Sequence, residues 1–412
     1  MPRIDQDRLL SDLRELRAIG AQGRGVVRPA FSAADMDARR WLKRRYEEAG
    51  LEATIDGVGN VLGRSRRAGK ALLIGSHSDT QPTGGWLDGA LGVIYALEVV
   101  RSLAADGATR ALPVDAVSFQ DEESRFIGCL GSRSLTGTLA PEVELDARDS
   151  RGVALADALR AAGLADVPRL RLARERYAGF IEAHIEQGPQ LEDTGRRIGV
   201  VTGIVGLRGI RFVFRGQQNH AGTTMMARRR DAAAALYELA HRINLEFPGV
   251  AGERSVWTMG RARIEPNAAS IVPGYAELDL QFRDAAEGPM DAFEALAARL
   301  VADMNARGGV TVEAVPARAP ILPTRMDPVL RAHVEAAAQR HAPGQWQCMP
   351  SGAFHDAGIV SAFMPSAMLF IPSIGGISHD FAEDSRDEDI VLGCQVLADA
   401  AASILAEANG ER

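Results

Sequence analysis

The sequence predicts an α/β protein built in two parts. One is a mostly parallel mixed sheet with helices on both faces, and the other is an inserted α+β unit of split-βαβ, ferredoxin-like pattern. Three observations predict this. Short, wholly apolar runs alternate with amphipathic helical stretches early in the chain. A middle segment switches to strands of period two. The length, 412 residues, exceeds what one ordinary core organises.

Residues 6–19 and 33–49 carry helical periodicity. The run 71–75 (ALLIG) is a short buried strand leading into a polar loop, 91–103 is an apolar helix, and 113–119 (PVDAVSF) is a second buried strand, again followed by polar residues. In sheets of this kind chemistry collects at the carboxyl ends of the strands. From about 208 to 321 the order becomes β-α-β-β-α-β: strand 211–215 (RFVFR), helix 229–246, alternating strands 255–264 and 275–283, and helix 288–306. The chain then returns, at about 323, to helices, a strand near 367–371 and a final helix. The expected division is therefore 1–208 with 323–412 as one domain and 209–322 as an insert.

Hydrophobic residues make up 46% and charged residues 25%, as in ordinary globular proteins. A net charge of -7 argues against general nucleic-acid affinity. The run Arg228-Arg229-Arg230 abuts Asp231 and reads as a solvated helix start or an interface feature. Cys129, Cys348 and Cys394 form no CxxC pair, which fits a reducing cytoplasm. The N-terminal segment lacks an apolar signal core, and the longest apolar stretches fall short of a membrane span. A cytoplasmic enzyme is the expected class.

Five segments carry candidate chemistry. His77 and Asp79 follow the strand 71–75, where a carboxylate two residues on would orient an imidazole; a surface histidine beside a helix cap would look the same. Asp88 lies between Gly84-Gly85 and Gly89, and reads equally as a helix N-cap or as a ligand bridging two cations. Two dications about 3.5–4 Å apart repel by roughly 17–19 kcal/mol at an effective dielectric near 20, so such a pair needs an anionic bridge. Glu122 and Glu123 follow the strand 113–119, and both face one site only if the chain turns there; a charged loop is the alternative. One could bind metal while the other takes a proton from water. His184 sits in an alternating strand ending at Gln187, as a ligand or as a packed histidine, and His379 sits in the Gly-rich segment 375–380. Together these supply three histidines and three carboxylates, the N/O donor set that two divalent ions need. The sequence has neither a GxSxG elbow nor a Walker loop.

In order, the segments GSHSDT, GGWLDGALGV, FQDEESRF, LGSRSLTG, HIEQGPQLE, IGVVTGIVG, NHAGTTMMARRRDA, PNAASIVPG, FRD, MPSGAFHDA and GGISH resemble the M20-type metallopeptidase superfamily. HIEQGP and NHAGT resemble its hydantoinase/carbamoylase branch, which holds N-carbamoyl-L-amino acid hydrolases, β-ureidopropionases and allantoate amidohydrolases. The resemblance implies metal binding by His77, Asp88, Glu123, His184 and His379, with Asp88 bridging. It implies Glu122 as general base, Asp79 orienting His77, and His220 stabilising an oxyanion, often across a dimer. Gln187, Ser270, Arg283 and His355 would meet substrate, Arg283 through the substrate carboxylate. The implied cofactor is a pair of divalent ions, zinc first, with manganese, cobalt or nickel also suited. The insert would serve as lid and homodimer contact, since its sheet otherwise leaves edges exposed. Three departures bear on the substrate: Ser270 replaces the usual Asn of PNxxN, Phe354 the usual Gly of GHDA, and Trp86-Leu87 the usual basic-aromatic pair before DG.

Overall fold

The computed structural model describes residues 2–410. It divides into two compact units, one running to Thr202 and resuming at Arg325, the other Gly203–Thr324.

The larger unit holds a nine-stranded mixed sheet. Its centre is four parallel strands in the order Ser366–Ile371, Tyr177–Ile185, Ala71–His77 and Val114–Phe119. Ala71–His77, Val114–Phe119 and Ser366–Ile371 are buried along their whole length, which is why apolar residues dominate them, with buried polar exceptions such as Asp115 and Ser118. The register pairs His77 with Phe119 and His184 with Phe370. These strands therefore release their following loops side by side at one sheet edge. The helix Ala90–Ala105 lies close on this sheet: a Cβ at Gly92 would come within 2.4 Å of the Ala183 carbonyl oxygen.

The sequence reading missed the antiparallel strands Val61–Arg64 and Glu52–Ile55 on one side of the sheet and Ile198–Ile204 on the other. The first two are four residues each, too short to show a period. It also found no stretch able to span a membrane, whereas the 22-residue helix Asp387–Ala408 is long and apolar enough by length and composition. Within the structure 67% of its most apolar window is buried, packed on the helices Ala90–Ala105 and Pro328–His341.

The smaller unit is a four-stranded antiparallel sheet in the order Val256–Glu265, Tyr275–Asp284, Gly206–Arg215 and Thr311–Pro316. The helices Ala232–Glu246 and Glu287–Arg307 complete the β-α-β-β-α-β order. Along Tyr275–Asp284 every second residue is buried, so Ala276, Leu278, Leu280 and Phe282 face the helices. Asp231 caps the first helix, accepting from the amides of Ala233 and Ala234 at 3.0 Å. Phe293 is fully buried and packs on Phe247 (centroids 4.5 Å), Phe282 (5.4 Å) and Trp257 (5.8 Å). Phe293→Ala should therefore destabilise this unit by ~3–5 kcal/mol in urea unfolding, and a loss under ~1 kcal/mol would mean the aromatic cluster does not organise it.

Candidate active site

The loops at the carboxyl edge of the parallel strands converge on Asp88. This residue is buried but is not the cap of the following helix: that position falls to Gly89, whose φ is 65°, and no side chain caps the helix. Its carboxylate is instead shared among three imidazoles. Oδ1 lies 3.5 Å from His77 Nε2 and 3.1 Å from His184 Nε2, and Oδ2 lies 3.2 Å from His379 Nε2.

Each strand-borne histidine is held by a main-chain oxygen behind it. His77 Nδ1 lies 3.0 Å from the Asp79 carbonyl oxygen and His184 Nδ1 lies 2.9 Å from that of Ile185. A proton placed on Nδ1 turns the Nε2 lone pair of both rings toward Asp88. The orienting group at His77 is thus the peptide of Asp79. The Asp79 carboxylate stands 3.9 Å from the ring and is used elsewhere, with Oδ2 accepting the Glu123 amide at 3.2 Å and Oδ1 3.6 Å from Arg39.

Glu122 and Glu123 both reach the cluster because the strand stops at Phe119 and the chain turns. Asp121 (φ 54°) and Ser124 (φ 62°) hold left-handed conformations, and the Asp121 carboxylate accepts the amides of Arg125, Phe126 and Ile127 at 2.7–2.9 Å. Glu122 Oε2 is 3.7 Å from His77 Nε2, and Glu123 Oε1 is 3.7 Å from His379 Nε2. His379 and Gln187 also adopt positive φ, 56° and 58°. Gln187 Nε2 donates to Asp88 Oδ2 at 3.1 Å and Ser378 Oγ at 3.2 Å, while its Oε1 has no hydrogen-bond partner among the described residues.

Two groups here have the spacing to hold a cation: His77, Asp88 and His184, and Asp88, Glu123 and His379, each with ligand atoms within 4.8 Å of one another. Their one common member is Asp88. The charge balance fits cations too. Burial drives Glu122 well above the usual carboxylate range, and burial with the nearby Asp88 charge lifts Glu123 to about 7. Against burial, its bonds to His184, His379 and His77 pull Asp88 well down. His379 rises to about 9, chiefly through its bond to Asp88. Glu123 Oε1 is buried with no hydrogen-bond partner among the described residues, a cost that a coordinating ion would remove.

His355 lies behind this cluster. It is 2% exposed, its ring meets His184 edge-on (centroids 4.6 Å), and its Nε2 is 2.9 Å from Ser351 Oγ. The fold gives it a buttressing position against His184 in place of the substrate-facing wall expected from sequence. Trp86 is likewise packed, 5% exposed, with the Arg17 guanidinium 4.8 Å from its ring centroid.

In the smaller unit His220 is exposed, and its Nδ1 accepts the amides of Gly222 (3.0 Å) and Thr223 (3.2 Å), which leaves Nε2 as the protonated nitrogen. Ser270 receives the Ala221 amide on its carbonyl oxygen, tying the loop after His220 to the 268–272 segment. Arg283 is half-buried on the strand Tyr275–Asp284.

Sequence reasoning missed several supporting residues. Arg39 is fully buried and binds Asp35 (2.9 Å) and the carbonyls of Gly59 (2.9 Å) and Phe119 (3.2 Å), fixing the strand end before Glu122. Glu383 accepts the amides of Leu87 and Asp88. Cys129 Sγ lies 3.8 Å from Glu122 Oε1. Arg229 holds the carbonyls of Thr224 (3.1 Å) and Ala221. Arg39, Glu383 and Arg229 bond to main chain, and Glu383 lies far from Leu87 and Asp88 in sequence, so no local side-chain spacing betrays them.

This fold and donor set define a metal-dependent hydrolase. The sequence profile of Peptidase family M20/M25/M40 matches residues 73–403, and the chain belongs to that family. It is 36% identical over 407 residues to the N-carbamoyl-L-amino acid amidohydrolase of Geobacillus stearothermophilus, covering 96% of this chain and 97% of that protein. It is 33% identical over 382 residues to the allantoate amidohydrolase of Bacillus subtilis, covering 91% and 92%. Among solved structures, an amidase of the hydantoinase/carbamoylase family from Burkholderia phymatum superposes with a TM-score of 0.93 at 50% identity over 99% of both chains. Within the family the chain therefore falls in the hydantoinase/carbamoylase branch and is a hydrolase of non-peptide C–N bonds.

The raised groups set the sign of a pH effect on the demetallated protein. Glu123 (about 7) and Glu383 (about 7, raised by burial and by Asp88) keep protons in the folded state that the unfolded chain gives up above the ordinary carboxylate range. That stabilising proton binding is lost as pH rises through 7, and the contribution of His379 is lost through about 9. Thermal unfolding of chelator-treated protein should therefore shift to lower temperature from pH 5 to pH 9, and added zinc should restore most at the alkaline end. A melting temperature that rises over this range would contradict the charge assignment.

Proposed function

We propose that this enzyme is a dinuclear-metal amidohydrolase that cleaves the carbamoyl C–N bond of an N-carbamoyl-L-amino acid by an activated water. The observation that carries the reading is the sharing of Asp88 between two three-residue groups, since an anionic bridge is what two adjacent dications require. His77 and His184 would hold one ion, Glu123 and His379 the other, with Asp88 between them. Zinc is the first choice, and manganese, cobalt and nickel suit the same donors. When bound, the ions would acidify water and polarise the substrate carbonyl.

The remaining steps belong to the chain. Glu122 lies outside both three-residue groups, its side chain is 10% exposed, and desolvation raises its proton affinity, which suits a group that must take a proton and give it back. It would remove the proton of the attacking water and return it to the departing amino-acid nitrogen, giving the amino acid and carbamic acid, which then falls apart to ammonia and carbon dioxide. The Nε2–H of His220 would stabilise the oxyanion, and its fixed tautomer supports this. Gln187 would receive the substrate through its unpaired Oε1, Arg283 would bind the carboxylate, and Ser270 would offer a hydroxyl where relatives of this branch present an amide.

The smaller unit would act as lid and homodimer contact. Its outer strand Val256–Glu265 is largely exposed, and Tyr237 and Leu245 stand exposed on the helix Ala232–Glu246, two turns apart on one face. A cytoplasmic location accords with three cysteines that are all free.

Ammonia release from N-carbamoyl α- and β-amino acids, allantoate, N-acetyl amino acids and dipeptides tests the substrate class. N-carbamoyl-L-amino acids should lead. A preference for allantoate would favour the activity named for the Bacillus subtilis relative, and a preference for N-acetyl or dipeptide substrates would overturn the reading. Glu122→Gln should keep its metal and lose about 10²–10⁴-fold in kcat, whereas near-normal turnover would remove Glu122 as the base.

A further inference from the structure

We propose that Glu383 is a positioning residue that clamps the bridging Asp88 to the loop bearing His379, so that the ion held by Asp88, Glu123 and His379 depends on it; the proposal rests on the dinuclear reading above. Glu383 is 2% exposed. Its Oε1 accepts the amides of Leu87 at 3.1 Å and Asp88 at 3.0 Å, and its Oε2 accepts the Ser378 hydroxyl at 2.8 Å. One carboxylate thus joins the main chain of Asp88 to the residue that precedes His379. Ser378 Oγ also receives Gln187 Nε2, so the clamp extends to the side chain proposed to meet substrate.

The opposite loop is shaped to admit this carboxylate. A Cβ at Gly85 would come within 1.9 Å of Glu383 Oε1 and 2.0 Å of its Cδ, so any residue other than glycine there would displace it. The two halves of the site differ in how they are held. His77 and His184 are anchored by their own main-chain oxygens on parallel strands. His379 is half-exposed in a loop, and no main-chain oxygen among the described residues anchors its ring in that way. Loss of Glu383 therefore bears on both Asp88 and His379 in one group, but on Asp88 alone in the other. The contacts on Glu383 are all acceptances, and glutamine can keep three contacts with one reversed: its carbonyl oxygen takes the two amides, and its NH₂ donates to Ser378 Oγ once that hydroxyl turns to accept. The proposal is one of shape.

Calorimetric titration of demetallated protein with zinc chloride, with bound zinc counted after desalting, tests this. Wild type should take two ions. Glu383→Ala should bind the weaker ion about 10–100-fold less tightly while the melting temperature of its apo form stays near that of wild type. Glu383→Gln should stay within about threefold of wild type. Gly85→Ala, which leaves Glu383 in the sequence but crowds it, should reproduce the loss and serves if Glu383→Ala does not fold. Wild-type affinities in both Glu383→Ala and Gly85→Ala would overturn the clamp, as would a Glu383→Gln variant as weak as Glu383→Ala. A wild type that takes one ion would count against the dinuclear reading instead.

Discussion

Three imidazoles converge on the single carboxylate of Asp88, and the rest of the larger unit can be read as the apparatus that makes this convergence affordable. Glu122, Glu123 and Glu383 crowd around it in a buried setting, and the pKa values of all three are pushed up as a result. Such a concentration of acids is unfavourable in a folded protein unless something of opposite charge belongs there. The buried Arg39 offsets Asp35 and Asp79 at the back of the cluster, whereas Glu123 Oε1 has the His379 ring at 3.7 Å but no hydrogen-bond partner among the described residues. The fold is thus arranged around a charge deficit, which links the architecture of the sheet edge to the chemistry proposed for it.

Much of the fold was legible because burial leaves a plain trace in composition. Strands covered on both faces, such as Ala71–His77 with its run Ala71–Gly75, are dominated by apolar residues, and the alternation along Tyr275–Asp284 records a sheet with one dry face. The candidate site was legible for a related reason. His77 and His184 stand at or near the ends of buried strands, and Asp88, Glu122, Glu123 and His379 in the turns and Gly-rich loops, where a polar residue has few structural excuses. Helix Asp387–Ala408 shows where composition misleads: Gly393, Gln395, Asp399 and Ser403 break its apolar runs, while its average remains high enough for a membrane.

What stayed hidden depends on main-chain groups and on distant pairs. Asp79 was expected to orient His77 through its carboxylate, yet the peptide oxygen does so, and any residue at that position would carry the same atom. Glu383 lies 295 positions from Asp88 in sequence and contacts only its amide, so no side-chain pattern announces the pair. His355 looked like a wall residue from its motif, but its neighbours Ser351 and His184 are fixed only by the strand Trp346–Ser351 and the parallel register.

The two ends of the smaller unit are stitched to each other. The Leu207 amide donates to the Ile321 carbonyl at 2.9 Å, and the Ile321 amide returns the bond at 2.8 Å. Departing and returning chain are therefore next-door neighbours, and the intervening hundred or so residues form a loop closed at its own neck. A segment attached in this way behaves as a cassette. It can drift, lengthen or be exchanged during evolution without disturbing the strands that carry the histidines, so recognition and catalysis are free to diverge at different speeds within one gene.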